Sequence, residues 1–156
     1  MTVWSCGYRF SGGEGLLGGT VRSVSVQVFK NQSRWSDLDV IITNDIITAL
    51  RQSRSVNLVT ASSGHLLCGT IEKVQVDTLN RSSDGAPQEK YVEITISTYL
   101  ANKNGKKIWQ SRPITEIEAY FPAQDHQDTL YAQKLAMKQA SQRLAQWVIS
   151  ELGQGF

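Results

Sequence analysis

Chemistry in this chain would have to come from two histidines, two cysteines and a close pair of carboxylates, and their spacing supports little of it. His65 and His126 are far apart in sequence, each in a loop-like stretch, where a histidine is more often a solvated surface group than a base. Asp125 and Asp128 stand at the start of a helical stretch, where negative charge meets the helix dipole. Gly12-Gly13-Glu14-Gly15 and Gly18-Gly19 neither follow a strand nor open a helix, so they do not make a phosphate loop. No Cys/His spacing suits a metal ion. The expectation is a protein that is not an enzyme and needs no cofactor or metal.

Cys6 invites a different chemistry. A small residue, Ser5, precedes it, and Gly7-Tyr8-Arg9-Phe10 and the flexible Ser11-Gly12-Gly13-Glu14-Gly15 follow it. A lipid-bearing cysteine on a leash looks like this after processing. A secretory signal, however, needs a charged start and an apolar run of roughly 7–15 residues, and residues 1–5 supply neither. Three readings therefore stay open: a start upstream of Met1, a shortened chain, or an ordinary thiol at Cys6. Cys68 lies in an apolar run and reads as a buried core thiol rather than a disulfide partner.

The remaining composition sets outer limits. The chain has 156 residues, 40% hydrophobic and 19% charged, which suits one domain with a real core. A net charge of +2 is too small to argue for nucleic acid. No apolar run approaches the ~18–20 residues of a membrane-spanning helix. Residues 1–19 read as anchor and tether, and residues 20–156 as a single domain.

The elements that would position any site run β-α-β-β-β-α. In residues 20–29, Val24, Val26 and Val28 alternate with Ser23, Ser25 and Gln27, which predicts a half-buried strand. Ser36 or Asp37 can cap the helix that follows, and Leu38, Ile42, Ile46, Ala49 and Leu50 form its buried stripe, fading near residues 53–55. Residues 65–76 predict a second strand whose alternation slips at Glu72-Lys73, the mark of a bulge. After a loop over 80–87, residues 91–100 alternate cleanly: Val92, Ile94, Ile96 and Leu100 face one way, Glu93, Thr95 and Ser97 the other. Asn104-Gly105 predicts a hairpin, since both residues tolerate positive φ. A returning strand over 107–120 contains Pro113, which places it at an edge. The last helix has Leu130, Met137, Ala140, Leu144, Val148 and Leu152 inward and Lys138, Gln139, Gln142, Arg143 and Gln146 outward, with Gly153 ending it. Apolar stripes on both helices and one apolar sheet face call for an α/β (α+β) two-layer sandwich. Both helices pack on one face of a four-stranded mixed sheet, and the first crossover is right-handed.

These residues, in this order, resemble the LptE family of lipopolysaccharide-assembly lipoproteins. The resemblance rests on the opening Cys6-Gly7-Tyr8-Arg9-Phe10 and on Val26-Gln27-Val28-Phe29-Lys30-Asn31-Gln32-Ser33, with its phenylalanine, one residue, asparagine ending. Ile42-Thr43 before Ala49-Leu50, Leu67-Cys68-Gly69-Thr70-Ile71, Ile108-Trp109, Tyr120 and an alanine-rich last helix complete it. No single motif is specific, but their order covers nearly the whole chain. The resemblance implies anchorage through Cys6 on the periplasmic side of the outer membrane, a plug and folding role inside the β-barrel LptD, and contact with lipopolysaccharide.

Lipopolysaccharide is dense in phosphate near its core, so cations on a rigid turn would bind it. The candidates are Lys103, Lys106 and Lys107 at the hairpin, with Arg112 further along; the plain alternative is a lysine-rich tip that serves solubility. Trp109, Tyr91 and Tyr99 are candidate barrel-facing aromatics or simply sheet cover. The polar face of the third strand, Glu93, Thr95, Ser97 and Tyr99, is the candidate partner face, joined by Ser25 and Gln27. The rival functions are a soluble periplasmic binding domain of similar fold without an anchor, and a small enzyme with a hidden site.

Overall fold

The computed structural model describes residue 17, residues 19–60 and residues 64–154. Its elements in chain order are β1 (Ser23–Val26), β2 (Lys30–Asn31), α1 (Leu38–Ser53), β3 (Asn57–Leu58), β4 (His65–Arg81), β5 (Pro87–Ala101), β6 (Lys107–Gln110), β7 (Ile114–Tyr120) and α2 (His126–Gln154). One mixed sheet forms in the order β3-β1-β4-β5-β6, with β2 also on β4 and β7 also on β5. β1 and β2 run parallel to β4, and β6 and β7 antiparallel to β5. The expected class holds. The strand count differs, because the first and fourth strands are each broken in two and the short β3 joins the edge beside β1.

Each break has a local cause. In the first strand Val24 is buried, but Val28 is 59% exposed and Phe29 turns inward at 2%. The valine alternation therefore fails beyond Val26. Gln27 N–H still donates to Leu67 C=O at 2.9 Å, while Phe29 N–H leaves the ladder and donates to Thr43 Oγ1 at 3.0 Å. Thr43 passes its own hydroxyl hydrogen to Asp39 C=O at 2.6 Å, a back-bond within α1. In the fourth strand, Ser111 exchanges bonds with Thr98: its N–H donates to Thr98 C=O at 2.8 Å and its Oγ accepts from Thr98 N–H at 3.0 Å. Pro113 has no donor, and the ladder resumes only at Ile114 on what is the outer lane of the sheet.

β4 and β5 are longer than the predicted strands because their turn is tight. Ser82 N–H donates to Ala86 C=O at 2.8 Å, and Gly85 takes φ 85°. The bulge falls where the slipped alternation put it, between the Ile71–Ile96 and Lys73–Thr95 pairs.

Both helices cover one face. Leu38, Ile42, Ile46, Ala49 and Leu50 of α1 meet Ala140, Leu144, Val148 and Leu152 of α2 and the inward row Val92, Ile94, Ile96 and Leu100 in one core. Asp37 stands at the N-cap of α1 but in a left-handed conformation, φ 64°, with no side-chain cap bond. Leu130 does not join the stripe; it is 37% exposed. Lys138 keeps its outward position, partly exposed, but its amine also reaches across to pair with Asp45 of α1. Gly153 does not end α2, which continues to Gln154.

Candidate functional site

The open sheet face, opposite the helices, carries the predicted partner residues Glu93, Thr95, Ser97 and Tyr99. All four are half-buried, because neighbours on adjacent strands crowd them. Register explains which neighbours. Thr95 stands opposite Thr115 and Lys73, and its Oγ1 lies 2.8 Å from Thr115 Oγ1. Glu93 sits beside Gln75 and accepts from Lys73 Nζ at 2.7 Å. Ser97 pairs with Thr70, and Tyr99 with Cys68 and Gln110. Gln27 joins the face, its Oε1 accepting from the Cys68 thiol at 3.2 Å. Ser25 does not present itself there: it is 3% exposed and donates to His65 C=O at 3.3 Å.

Lys73, Gln75, Asp77 and Thr115 belong to this face and escaped the sequence reading. The signal for the first three was available. The bulge at Glu72 reverses the alternation, so residues 73, 75 and 77 face the way that 68 and 70 do.

At one end of the face the hairpin closes through Asn102. Its Oδ1 accepts from Asn104 N–H at 2.9 Å and Lys106 N–H at 3.0 Å, while Asn102 N–H donates to Lys106 C=O at 2.8 Å. Gly105 takes positive φ, 79°, and Asn104 does not. This fixed turn holds Lys103 and Lys106 exposed at the tip. Lys107 leans back onto the sheet with its Nζ 4.3 Å from the centre of the Tyr99 ring. The structure thus brings together one predicted basic residue and one predicted partner residue. Arg112 stands apart, roughly 15 Å along the strand direction from Lys107. It is exposed in the joint between β6 and β7, on a groove shared with Pro113, Ile114, Trp147 and Glu151.

The aromatic candidates divide. Tyr99 remains on the surface near the hairpin. Its hydroxyl pKa is held above 10.0 by its hydrogen bond with the Cys68 thiol, then by the charge a thiolate would place there, then by burial. Trp109 is only 4% exposed and packs in the core, so it is not a barrel-facing anchor. Tyr91 pairs with Ala119 and Asp77, toward the opposite end of the sheet.

Cys6 and most of the predicted tether lie outside the described residues. Leu17, the first described residue, donates its N–H to Leu152 C=O near the end of α2 at 3.0 Å. His65 is not a loop residue: it opens β4, half-buried, with a buried Nδ1 that has no hydrogen-bond partner. His126 is the exposed first residue of α2. Cys68 is a buried free thiol. Among the described residues, no cluster of three His, Cys, Asp or Glu side chains is placed to hold a metal ion. No described helix is long and apolar enough to cross a membrane.

The overall fold recurs in known structures. The rare lipoprotein B from Shewanella oneidensis is 16% identical, with 85% of this chain and 95% of that chain covered and a TM-score of 0.61. A minor lipoprotein from Acinetobacter baumannii is 13% identical over 86% and 92%, with a TM-score of 0.55. The PelC dodecamer from Paraburkholderia phytofirmans is 17% identical over 85% and 89%, with a TM-score of 0.54. At such identities the likeness is one of fold. No curated protein matches the chain in sequence. The family model LptE, described as lipopolysaccharide-assembly, matches residues 21–152, from the start of the first strand to the end of the buried stripe of α2. The chain belongs to the LptE family of lipopolysaccharide-assembly proteins.

Proposed function

We propose that this protein assists lipopolysaccharide assembly at the outer membrane as a plug and folding partner of an LptD-like β-barrel, held to the membrane by lipid on Cys6. The observation that carries the reading is the open sheet face. A barrel lumen is polar, so its plug must present polar and aromatic groups rather than one apolar patch. Glu93, Thr95, Ser97 and Tyr99, flanked by Lys73, Gln75 and Thr115, have that character, and the family match supplies the context. Lys103, Lys106 and Lys107 contact the phosphates of lipopolysaccharide from the hairpin. The role is one of binding and assembly, with no chemistry on a substrate.

Photo-crosslinking residues placed at Thr95 and Ser97 in cells test this. Adducts with a large outer-membrane barrel are expected. Adducts confined to a second copy of the chain, or none, would overturn the plug assignment. Mass spectrometry of membrane-extracted protein checks the anchor: acylated Cys6 is expected, and an unmodified thiol in fully soluble protein counts against it.

A further inference from the structure

β4 has partners along its whole length on the β5 side but only as far as Ile71 on the other. Among the described residues, no strand pairs with that second edge beyond Ile71. The carbonyls of Leu67 and Ile71 point to this edge, since they accept from Gln27 and Gln32. The bulge at Glu72 inserts one residue and shifts the phase, so the backbone groups of Val74, Val76 and Thr78 point outward next. Thr78 N–H already has a partner, donating to its own Asp77 Oδ1 at 2.7 Å. Val74 and Val76 are left with outward amides and carbonyls, flanked on the open face by Lys73 and Asp77.

We infer that this edge recognises a second copy of the chain, pairing β4 antiparallel with β4 about a two-fold axis through Gln75. In that register Val74 exchanges both backbone bonds with the partner's Val76, and Val76 with the partner's Val74. On the helix side valine meets valine. On the open face Lys73 meets the partner's Asp77, Asp77 the partner's Lys73, and Gln75 its own copy. Charge on an edge strand ordinarily blocks pairing; here the two-fold turns both charges into cross-strand ion pairs. Neighbouring registers centred on Val74 or Val76 set Lys73 against Gln75 or Leu79, so only the Gln75 register satisfies the charges. Lys73 keeps its own Glu93 at 2.7 Å and gains a second carboxylate. The result is one continuous sheet with both helical layers on the same side.

The test uses the full 156-residue chain carrying Cys6→Ala, which leaves the buried Cys68 as its other thiol. Sedimentation up to roughly millimolar concentration, suited to so small a contact, should show a monomer–dimer equilibrium. Asp77→Lys should weaken it about tenfold or more. The triple exchange Lys73→Glu, Glu93→Lys and Asp77→Lys keeps both pairings with signs reversed and should restore it. Independently of charge, Gln75→Cys should oxidise to a covalent dimer, because directly opposed non-hydrogen-bonded residues lie about 4.5 Å apart at Cα. Leu79→Cys should not, since its copies are offset by roughly 27 Å. A monomer at every concentration, an Asp77→Lys variant that dimerises unchanged, or equal cross-linking at Leu79→Cys would each overturn the inference. So would capture of Gln75→Cys by a different envelope protein without any self-adduct, which would assign the edge to a foreign strand.

Discussion

The Phe29 ring occupies the space over Gly69: a β-carbon at residue 69 would lie 2.1 Å from its Cε2 and 2.2 Å from its Cζ. The break between β1 and β2 exists to allow this. By leaving the ladder, Phe29 swings across the neighbouring strand and is buried to 2% exposure, while Thr43 satisfies its amide. Gly69→Ala should therefore cost about 1–3 kcal/mol, because the ring cannot yield without moving the core. Phe29→Leu makes room at the price of contacts, so the double variant should be less destabilised than the sum of the singles. Urea unfolding of the four proteins decides it; strict additivity would mean that the ring and the glycine do not share this space.

Asp45 ties the helices to each other. It is 8% exposed, accepts from Ser141 Oγ at 2.6 Å and pairs with Lys138, while Ser141 is fully buried. Asp45→Ala strands the Ser141 hydroxyl away from water and should cost about 2 kcal/mol. Lys138→Gln should cost less, about 1 kcal/mol or under, since that side chain is 43% exposed and screened by solvent. Equal effects in denaturant unfolding would show that the ion pair, rather than the buried hydroxyl, carries the contact.

The same pair of helices shows how far the sequence could be read. Strict alternation in residues 91–100 and a 3.6-residue stripe in α1 foretold both core faces, because periodicity reports burial directly. The slip at Glu72-Lys73 foretold the bulge. Phe29 was missed because Val24, Val26 and Val28 alternate well enough to make a strand, and only tertiary space over Gly69 overrides them. The pairing of Lys138 with Asp45 was not legible because the two residues are 93 apart in sequence. Of the candidate surface, Glu93, Thr95, Ser97 and Tyr99 were legible from one strand. Lys73 and Gln75 follow from the phase slip at Glu72 once it is carried along the strand, whereas Thr115 depends on inter-strand register, which one strand's pattern does not contain. For Trp109 the choice between barrel-facing anchor and sheet cover stayed open, because an aromatic after a hairpin has no mark of which face it takes.

Tyr120 makes stability depend on alkaline pH. It is 6% exposed, and burial holds its hydroxyl pKa above 10.0. Below the unfolded value both states keep the proton and stability is fully present. Above it the unfolded chain ionises first, so stability falls as pH rises until the folded pKa is passed. Tyr120→Phe should flatten this fall, seen in unfolding free energies measured on either side of pH 10.0. A slope unchanged by the substitution would show that Tyr120 ionises as readily when folded.

The hairpin lysines are expected to bind lipopolysaccharide phosphates, and their geometry sharpens what each does. Asn102 fixes the turn through two amides, so Lys103 and Lys106 are held at a rigid tip. Lys107 is instead held against the Tyr99 ring, where its charge is offered from the sheet surface. Replacing all three with Glu reverses three exposed charges and should weaken binding about tenfold or more, on the scale of roughly half a kcal/mol or more per exposed contact. Binding by the native chain should weaken with added salt, because exposed charges are screened. Tyr99→Leu removes the ring under Lys107 without altering charge, and should produce a smaller loss than the triple change. Asn102→Ala loosens the tip and should reduce binding with every lysine still present. Titration of each variant with purified lipopolysaccharide measures these effects. Affinity unmoved by the triple change would transfer the site to another surface, with Arg112 and its groove beside Trp147 the next to test.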